Sequence, residues 1–128
     1  MINISKIKYL AGNKKPLPHT LSPYNRSVCN FFDDLSRSLL NDKQASKYAD
    51  VISYAFWCRK SNIDKFRKNF KDDHIRLGLG TIFHISPSNV PVNFAYSFSF
   101  GLLAGNANIV RVPSKLFPQV NIICKVIN

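Results

Sequence analysis

The second part of the chain changes its hydrophobic period twice within about 35 residues, which constrains the fold more than any other feature. Residues 79–85 (LGTIFHI) and 108–112 (NIVRV) are short β-branched and aromatic runs. Between them, residues 92–103 are apolar on nearly every face, Pro91 lies where a helix can begin, and the Gly-Asn pair at 105–106 can end it. We therefore predict a buried strand, a crossover helix and a parallel strand with right-handed crossover, a βαβ unit.

The rest of the chain predicts helices. A first helix would begin at Ser22 and Pro23 as N-cap and N1 pair. Residues 61–64 resemble a capping box with Asp in place of Glu, opening a short basic helix. A final helix would be capped by Ser114, carry Pro118 in its first turn, and pack on the sheet. The expected apolar faces are Val28, Phe31, Phe32, Leu35 and Leu39; Tyr48, Val51, Ile52, Ala55 and Phe56; and Ile63, Phe66 and Phe70.

Charge and cysteine content exclude several function classes. The chain carries 18 Lys plus Arg against 7 acids, a formal charge of +11, which favours an anionic partner. All seven acids are Asp, so no glutamate base or ligand is available from these residues. The three cysteines, Cys29, Cys58 and Cys124, lack zinc or disulfide spacing and are expected in the core, so we predict no metal site. With no continuous apolar span, we expect a soluble, cytoplasmic protein.

Two loops are candidates for chemistry because parallel sheets bind ligands at the carboxyl ends of their strands. The first, residues 86–91, follows the first predicted strand, and the second, residues 113–115, follows the second strand. Neither has the sequence of a dinucleotide-binding glycine loop or of a P-loop. His84 lies inside the first strand, where a histidine with a satisfied ring is expected.

These segments resemble the aldehyde dehydrogenase superfamily. The resemblance rests on Gly80, on Pro87-Ser-Asn89-Val-Pro91, and on Leu103-Ala-Gly105-Asn106 followed by a strand and Pro113-Ser114. The amino-acid sequences of residues 84–91 and 101–114 are more similar to those of the acyl-CoA reductase branch, which includes the fatty acid reductases of bioluminescent bacteria. The resemblance implies an α/β fold with an N-terminal arm and helical region over residues 1–78. Residues 79–128 would then be the first part of a Rossmann-like, NADP-binding domain, whose sheet is incomplete here and which lacks the catalytic cysteine domain.

The resemblance also implies roles for both loops. Asn89 matches the asparagine whose amide holds the oxyanion of the thioester or hemithioacetal, although it could instead satisfy backbone groups of a turn. The family's usual K-P-S-E is Val112-Pro-Ser-Lys115 here; Lys115 would attract a 2′-phosphate and favour NADPH, or be a solvated lysine. The expected cofactor-binding residues are Ser86, Pro87, Ser88, Arg111, Pro113, Ser114 and Lys115.

Three functions remain open at this stage. The first is the front part of a reductase that converts long-chain acyl-CoA, or an acyl-protein thioester, to fatty aldehyde. The nucleophile of this reductase would be a cysteine in a later domain. Its partners would be acyltransferase and acyl-protein synthetase subunits. The second is an inactive fragment of that family. The third is a nucleic-acid-binding module that uses the bases and phenylalanines of residues 59–71, although Ile63, Phe66 and Phe70 are expected to pack inward.

Overall fold

The computed structural model describes residues 7–15, 17, 19–70 and 73–128 and contains five α-helices and two β-strands in these parts. Lys71 of the basic segment and the first six residues of the predicted arm lie outside this description. A 3₁₀ turn at Ala45–Lys47 lies between the first two helices. The elements in chain order are α1 (Arg26–Asn41), α2 (Ala49–Trp57), α3 (Lys60–Asn69), β1 (Thr81–Ile85), α4 (Asn93–Leu103), β2 (Ala107–Arg111) and α5 (Pro118–Ile127).

Helix α1 begins later than the sequence predicts. Its N-cap is Asn25, whose side-chain oxygen accepts a hydrogen bond of 2.9 Å from the backbone N–H of Ser27. The preceding residue, Tyr24, has a φ of +53°, in the left-handed region, so a right-handed helix cannot run through it from Pro23. The predicted start at Ser22 and Pro23 is therefore wrong, and the apolar face of the helix is correct.

The predicted capping box at the start of α3 is also wrong. The helix begins at Lys60, so Ser61 lies inside its first turn, and Arg59 occupies the N-cap position without a side-chain capping bond. The Arg59 guanidinium instead lies 4.0 Å from the centre of the Phe56 ring. A polar residue at the right spacing does not become a cap when its neighbour already starts the helix.

The three front helices enclose an aromatic core. Phe32 and Tyr54 are fully buried, and both rings pack near Trp57, at 6.5 and 6.3 Å between centroids. Two buried hydroxyls cross-link the helices: Ser36 Oγ donates to the Ala55 carbonyl at 2.7 Å, and Tyr54 Oη lies 2.8 Å from Ser99 Oγ on α4. Hydroxyls in an apolar core are stabilising only when paired in this way.

Strands β1 and β2 are parallel and joined through α4, which confirms the predicted βαβ unit. In the register, Thr81 pairs with Ala107 and Ile85 with Arg111. The prediction that β1 is buried is wrong, because Phe83 is 59% and Ile85 68% exposed. Helix α4 covers one face of the strand pair, and alternate side chains therefore point to an uncovered face within the described residues.

The covered face of the sheet packs closely on α4 because a glycine lies at the contact. A Cβ on Gly101 would lie 2.0 Å from Asn108 Oδ1 and 2.9 Å from His84 Nε2, so only hydrogen fits there. The His84 ring lies 2.7 Å, Nε2 to Oδ1, from the Asn108 side chain. The prediction of a strand histidine with a satisfied ring is thus confirmed.

Helix α5 starts at Pro118 with Phe117 as its N-cap, so Pro118 lies in the first turn as predicted, whereas the predicted cap at Ser114 is wrong. Ser114 lies in the irregular segment that follows β2, too far from the helix to bond its first N–H groups. The helix packs mainly on α1 and the 3₁₀ turn rather than on the sheet, and Gln119 donates to Asp50 on α2. Among the described residues, no helix is long and apolar enough to cross a membrane.

Candidate functional site

The two candidate loops leave the same edge of the sheet. The parallel register places Ile85 beside Arg111, and Ser86 N–H donates to the Arg111 carbonyl at 3.3 Å, so the ladder continues one bond into the first loop. The prediction that both loops follow the carboxyl ends of neighbouring parallel strands is confirmed. Such an edge is where open parallel sheets bind their ligands.

The first loop combines a buried hydroxyl with an exposed turn. Ser86 Oγ is buried and has no hydrogen-bond partner in the described part of the chain. A buried hydroxyl left in this state normally signals a partner, such as water or a ligand. The next three residues, Pro87, Ser88 and Asn89, are exposed, with Ser88 and Asn89 forming a turn. The Asn89 amide is therefore accessible to a ligand approaching the edge.

Helix α4 begins directly after this loop. Its N-cap, Val92, makes no side-chain capping bond, and the first turn starts with a 3.4 Å bond from Asn93 N–H to the Val90 carbonyl and a 3.0 Å bond from Ala95 N–H to Val92. The N-terminus of a helix carries partial positive charge and free N–H groups. The carboxyl edge of β1 thus adjoins a helix end that favours anionic groups.

The second loop supplies the positive charge of this edge. Arg111 is exposed and lies on the uncovered face of the sheet. It is two residues after the exposed Ile109 on β2, so both side chains point to the same face, and it pairs with the exposed Ile85 on β1. Pro113 is buried and fixes the chain, whereas Ser114 and Lys115 are exposed.

The Lys115 ammonium lies 5.2 Å from the centre of the Phe117 ring, a cation–π contact at the start of α5. Lys115 is exposed, so its charge faces solvent.

At the amino ends of the strands, opposite the two loops, a buried asparagine ties the segment before β1 to the end of α4, a role that the sequence does not predict. Asn106 Oδ1 accepts from Leu79 N–H at 2.6 Å, and its Nδ2 donates to the Gly101 carbonyl at 3.1 Å. Gly105, with a φ of +87°, allows the turn that the sequence predicts as the end of α4. One feature of the sequence could have indicated this role of Asn106: it is a polar residue directly before an apolar strand. A buried amide at such a position costs free energy unless it is hydrogen-bonded.

The cysteines do not provide an activated thiolate at this edge. Burial raises the pKa of the Cys58 thiol to about 12 and that of Cys124 to about 11, and both side chains lie in the helical core. Desolvation also raises the pKa of Cys29, which is half-buried beneath α3. At neutral pH all three are protonated thiols, and the described residues contain no group of side chains that could hold a metal ion.

The apolar side chains of the basic segment pack inward only in part. Ile63 is buried and the Phe66 ring lies 5.6 Å from Trp57, whereas Phe70 is 45% exposed although its ring lies 5.5 Å from Tyr24. The expectation that Phe70 packs inward is therefore wrong, because Phe70 follows the last residue of α3. Single-stranded nucleic acids are bound largely by stacking on free aromatic rings. Of this segment, only the basic side chains and the exposed part of Phe70 support the nucleic-acid hypothesis.

The fold and this edge define a mixed α/β protein with a βαβ unit and an anion-favouring carboxyl edge. A family model, acyl-CoA reductase (LuxC), matches residues 14–122, which is most of the chain. The chain therefore belongs to the acyl-CoA reductase (LuxC) family. No curated protein and no solved structure matches it.

Proposed function

We propose that this chain forms the adenosine-binding and oxyanion-binding edge of an NADPH-dependent reductase that converts long-chain acyl thioesters to fatty aldehydes. The observation that carries the proposal is the junction of the two loops, where Ser86 N–H bonds to the Arg111 carbonyl. Membership of the acyl-CoA reductase family supports a nicotinamide cofactor.

The residues at the edge fit a phosphate-bearing nucleotide. The unpartnered Ser86 hydroxyl can donate to a phosphate or ribose oxygen, and the uncapped start of α4 favours negative charge. Residues proposed to hold the cofactor are Ser86, Pro87 and Ser88 in the first loop and Arg111, Pro113, Ser114 and Lys115 in the second. The bound nicotinamide supplies the hydride of the reduction.

Lys115 is proposed to select NADPH over NADH. Its ammonium, held beside Phe117, can form a charge-assisted hydrogen bond to a 2′-phosphate. A glutamate at this position would accept hydrogen bonds from the ribose hydroxyls and repel the phosphate. The chain contains no glutamate at all, so this repulsion is absent.

Asn89 is proposed to stabilise the oxyanion that forms when the acyl thioester is attacked. Its side-chain amide is exposed on a turn between two prolines, and a fixed N–H donor lowers such barriers by roughly 3 kcal/mol. We propose that the nucleophilic cysteine is not among Cys29, Cys58 and Cys124, because their raised pKa values keep them protonated. The acyl donor and the acyltransferase and acyl-protein synthetase partners belong to this same proposal.

The cofactor hypothesis is tested by titrating the purified chain with NADPH and NADH, following nicotinamide fluorescence. We expect tighter binding of NADPH, and in Lys115→Glu a loss of NADPH affinity of about tenfold with little change for NADH. Lys43→Glu, which makes the same charge change outside the edge, should behave as the original chain. Tighter binding of NADH by the original chain would overturn the NADPH assignment.

An inactive member of the family remains the second candidate function, and the cysteine burial favours it for this polypeptide. We expect no NADPH oxidation when the 128-residue chain is mixed with a long-chain acyl-CoA. Measured turnover would show that one of its own thiols is the nucleophile.

A further inference from the structure

A cleft of about 350 Å³ lies between α1 and α3, away from the sheet edge. Both helices contribute side chains at the spacing of one helix face: Arg26, Cys29 and Asn30 from α1, and Lys60, Asp64 and Arg67 from α3. Ile63, which is buried, forms its apolar floor. The cleft therefore has an apolar floor and mostly polar side chains along its walls.

The walls of this cleft carry an excess of positive charge. Arg26, Lys60 and Arg67 line it together with one carboxylate, Asp64, which lies 3.8 Å from the Arg67 guanidinium. Within the described ranges, Arg26 and Lys60 make no ion pair with any acidic side chain. Two cations from different helices thus line one small space whose single carboxylate, Asp64, is paired with Arg67.

The geometry points to a site for a phosphate group in this cleft, bound by Arg26 and Lys60 with Arg67 as a third donor. Guanidinium groups match phosphate oxygens with paired hydrogen bonds, and an ammonium adds a point charge. Helix α3 starts at Lys60 without a side-chain cap, so its first N–H groups add to the same preference. The ligand class is a diphosphate or a phosphomonoester on a small molecule.

The positions of the other bases favour a small ligand over a nucleic acid. Arg59 is held over the Phe56 ring and does not line the cleft. Lys65 and Lys68 lie on α3 but are also outside it. The cations that line the cleft are therefore few and surround one small space, whereas a duplex needs an extended stripe of them.

Calorimetric titration of the purified chain with inorganic pyrophosphate tests this site. We expect saturable binding that weakens about tenfold in Lys60→Gln and in Arg26→Gln. Lys68→Gln removes the same charge from the same helix outside the cleft and should change affinity less than about twofold. All three side chains are exposed, so each variant should fold, as circular dichroism will check.

Cys29 provides a second readout because it lines the cleft and is the least buried of the three cysteines. Pyrophosphate should slow its alkylation by iodoacetamide at pH 8.5 in the original chain and in Lys68→Gln, and not in Lys60→Gln. Two further titrations identify the source of the phosphate. Adenosine 3′,5′-bisphosphate represents the nucleotide part of coenzyme A, and adenosine 2′,5′-bisphosphate represents the nucleotide part of NADPH.

The site is independent of the proposed function at the sheet edge, and one variant separates the two. Lys115→Glu should leave pyrophosphate binding at the cleft unchanged. The proposal is overturned if pyrophosphate does not bind, if Lys68→Gln weakens binding as much as Lys60→Gln, or if only Lys115→Glu abolishes it. Binding of random duplex DNA that depends equally on Lys60 and Lys68 would also overturn it, in favour of an extended basic surface.

Discussion

The helices of this protein bury most of their apolar side chains, with Phe56 at 42% and Phe100 at 61% exposure as exceptions, whereas the two strands leave one face open. Of the described residues, every buried apolar side chain except that of Pro113 belongs to a helix, to the 3₁₀ turn or to a position flanking a helix, and none belongs to β1 or β2. A helix needs cover along one stripe, and its neighbours provide it. A sheet needs cover on two faces, and α4 provides only one.

This difference separates the helices that stabilise the fold from the strand edge where we propose ligand binding. The helical core supplies the burial that holds the chain folded, and the strand pair positions two loops that face solvent. A substitution in a helix should therefore reduce stability, and a similar substitution on the open sheet face should not.

The sharpest form of this comparison uses two phenylalanines. Phe32→Ala removes a ring with 0% exposure among Phe31, Trp57 and Phe98 and should lower the free energy of unfolding by about 3–5 kcal/mol. Phe83→Ala removes an exposed ring and should cost about 1 kcal/mol or less. Urea denaturation measures the free energy of unfolding of both variants. If Phe32→Ala fails to fold, Phe32→Leu should show a smaller loss of stability that can still be measured. Equal losses at Phe32 and Phe83 would contradict the comparison.

The contact between α4 and the sheet should tolerate no added methyl group. Gly101→Ala places a Cβ against Asn108 Oδ1 and His84 Nε2, and the clash should cost about 2 kcal/mol despite the better helix propensity of alanine. Ser97→Ala, on the same helix, should change stability by about 0.5 kcal/mol or less. Adding Asn108→Ala to Gly101→Ala should recover part of the loss in a thermal unfolding assay; full additivity would show that the contact is not responsible.

Alkaline pH should weaken the helical core through its buried thiols. Burial raises the pKa of Cys58 from 9.0 to about 12, so the folded state holds the proton more tightly than the unfolded state. Stability is then full below pH 9 and falls as the pH rises from 9 towards 12, by about 1–2 kcal/mol at pH 10. Cys124, with a pKa of about 11, acts in the same direction.

Urea unfolding at pH 8, 9 and 10 measures this loss. Cys58→Ala should be less stable overall and show a shallower decline between pH 9 and 10. An unchanged slope in that variant would exclude Cys58 as the titrating group. The pKa of Tyr54 is also raised by burial, so its contribution begins only above pH 10.

The smallest effects come from two serines. Ser36→Ala removes a buried hydrogen bond to the Ala55 carbonyl and should cost about 1 kcal/mol. Ser86→Ala removes a buried hydroxyl that has no partner among the described residues and should be neutral or slightly stabilising. The same Ser86→Ala variant should weaken NADPH binding, and a stability loss equal to that of Ser36→Ala would indicate that Ser86 has a structural partner.

Periodicity predicted the elements better than local signals predicted their ends. The βαβ unit, the stop at Gly105 and the apolar face of α1 follow from repeating patterns over many residues, and the structure confirms them. The predicted caps at Ser22, Ser61 and Ser114 failed for local reasons: the backbone of Tyr24 has a positive φ, α3 already begins at Lys60, and α5 begins only at Pro118. No local pattern carries that information.

The candidate site divides in the same way. Its two loops, with Asn89 and Lys115, could be chosen from sequence because their positions after predicted strands place them at one edge. The unpartnered Ser86 hydroxyl, the open face shared by Arg111 and the cleft between α1 and α3 could not, since each depends on which side chains meet across long separations.

The sequence alone therefore determined the order of elements, the parallel pairing and the excess of positive charge, because each is a property of short-range pattern or of composition. Tertiary structure decided which face of the sheet is covered, which cysteines are buried and which cations converge between α1 and α3. Burial and convergence depend on contacts between residues distant in the chain, and the free energy of those contacts is fixed only when the helices pack.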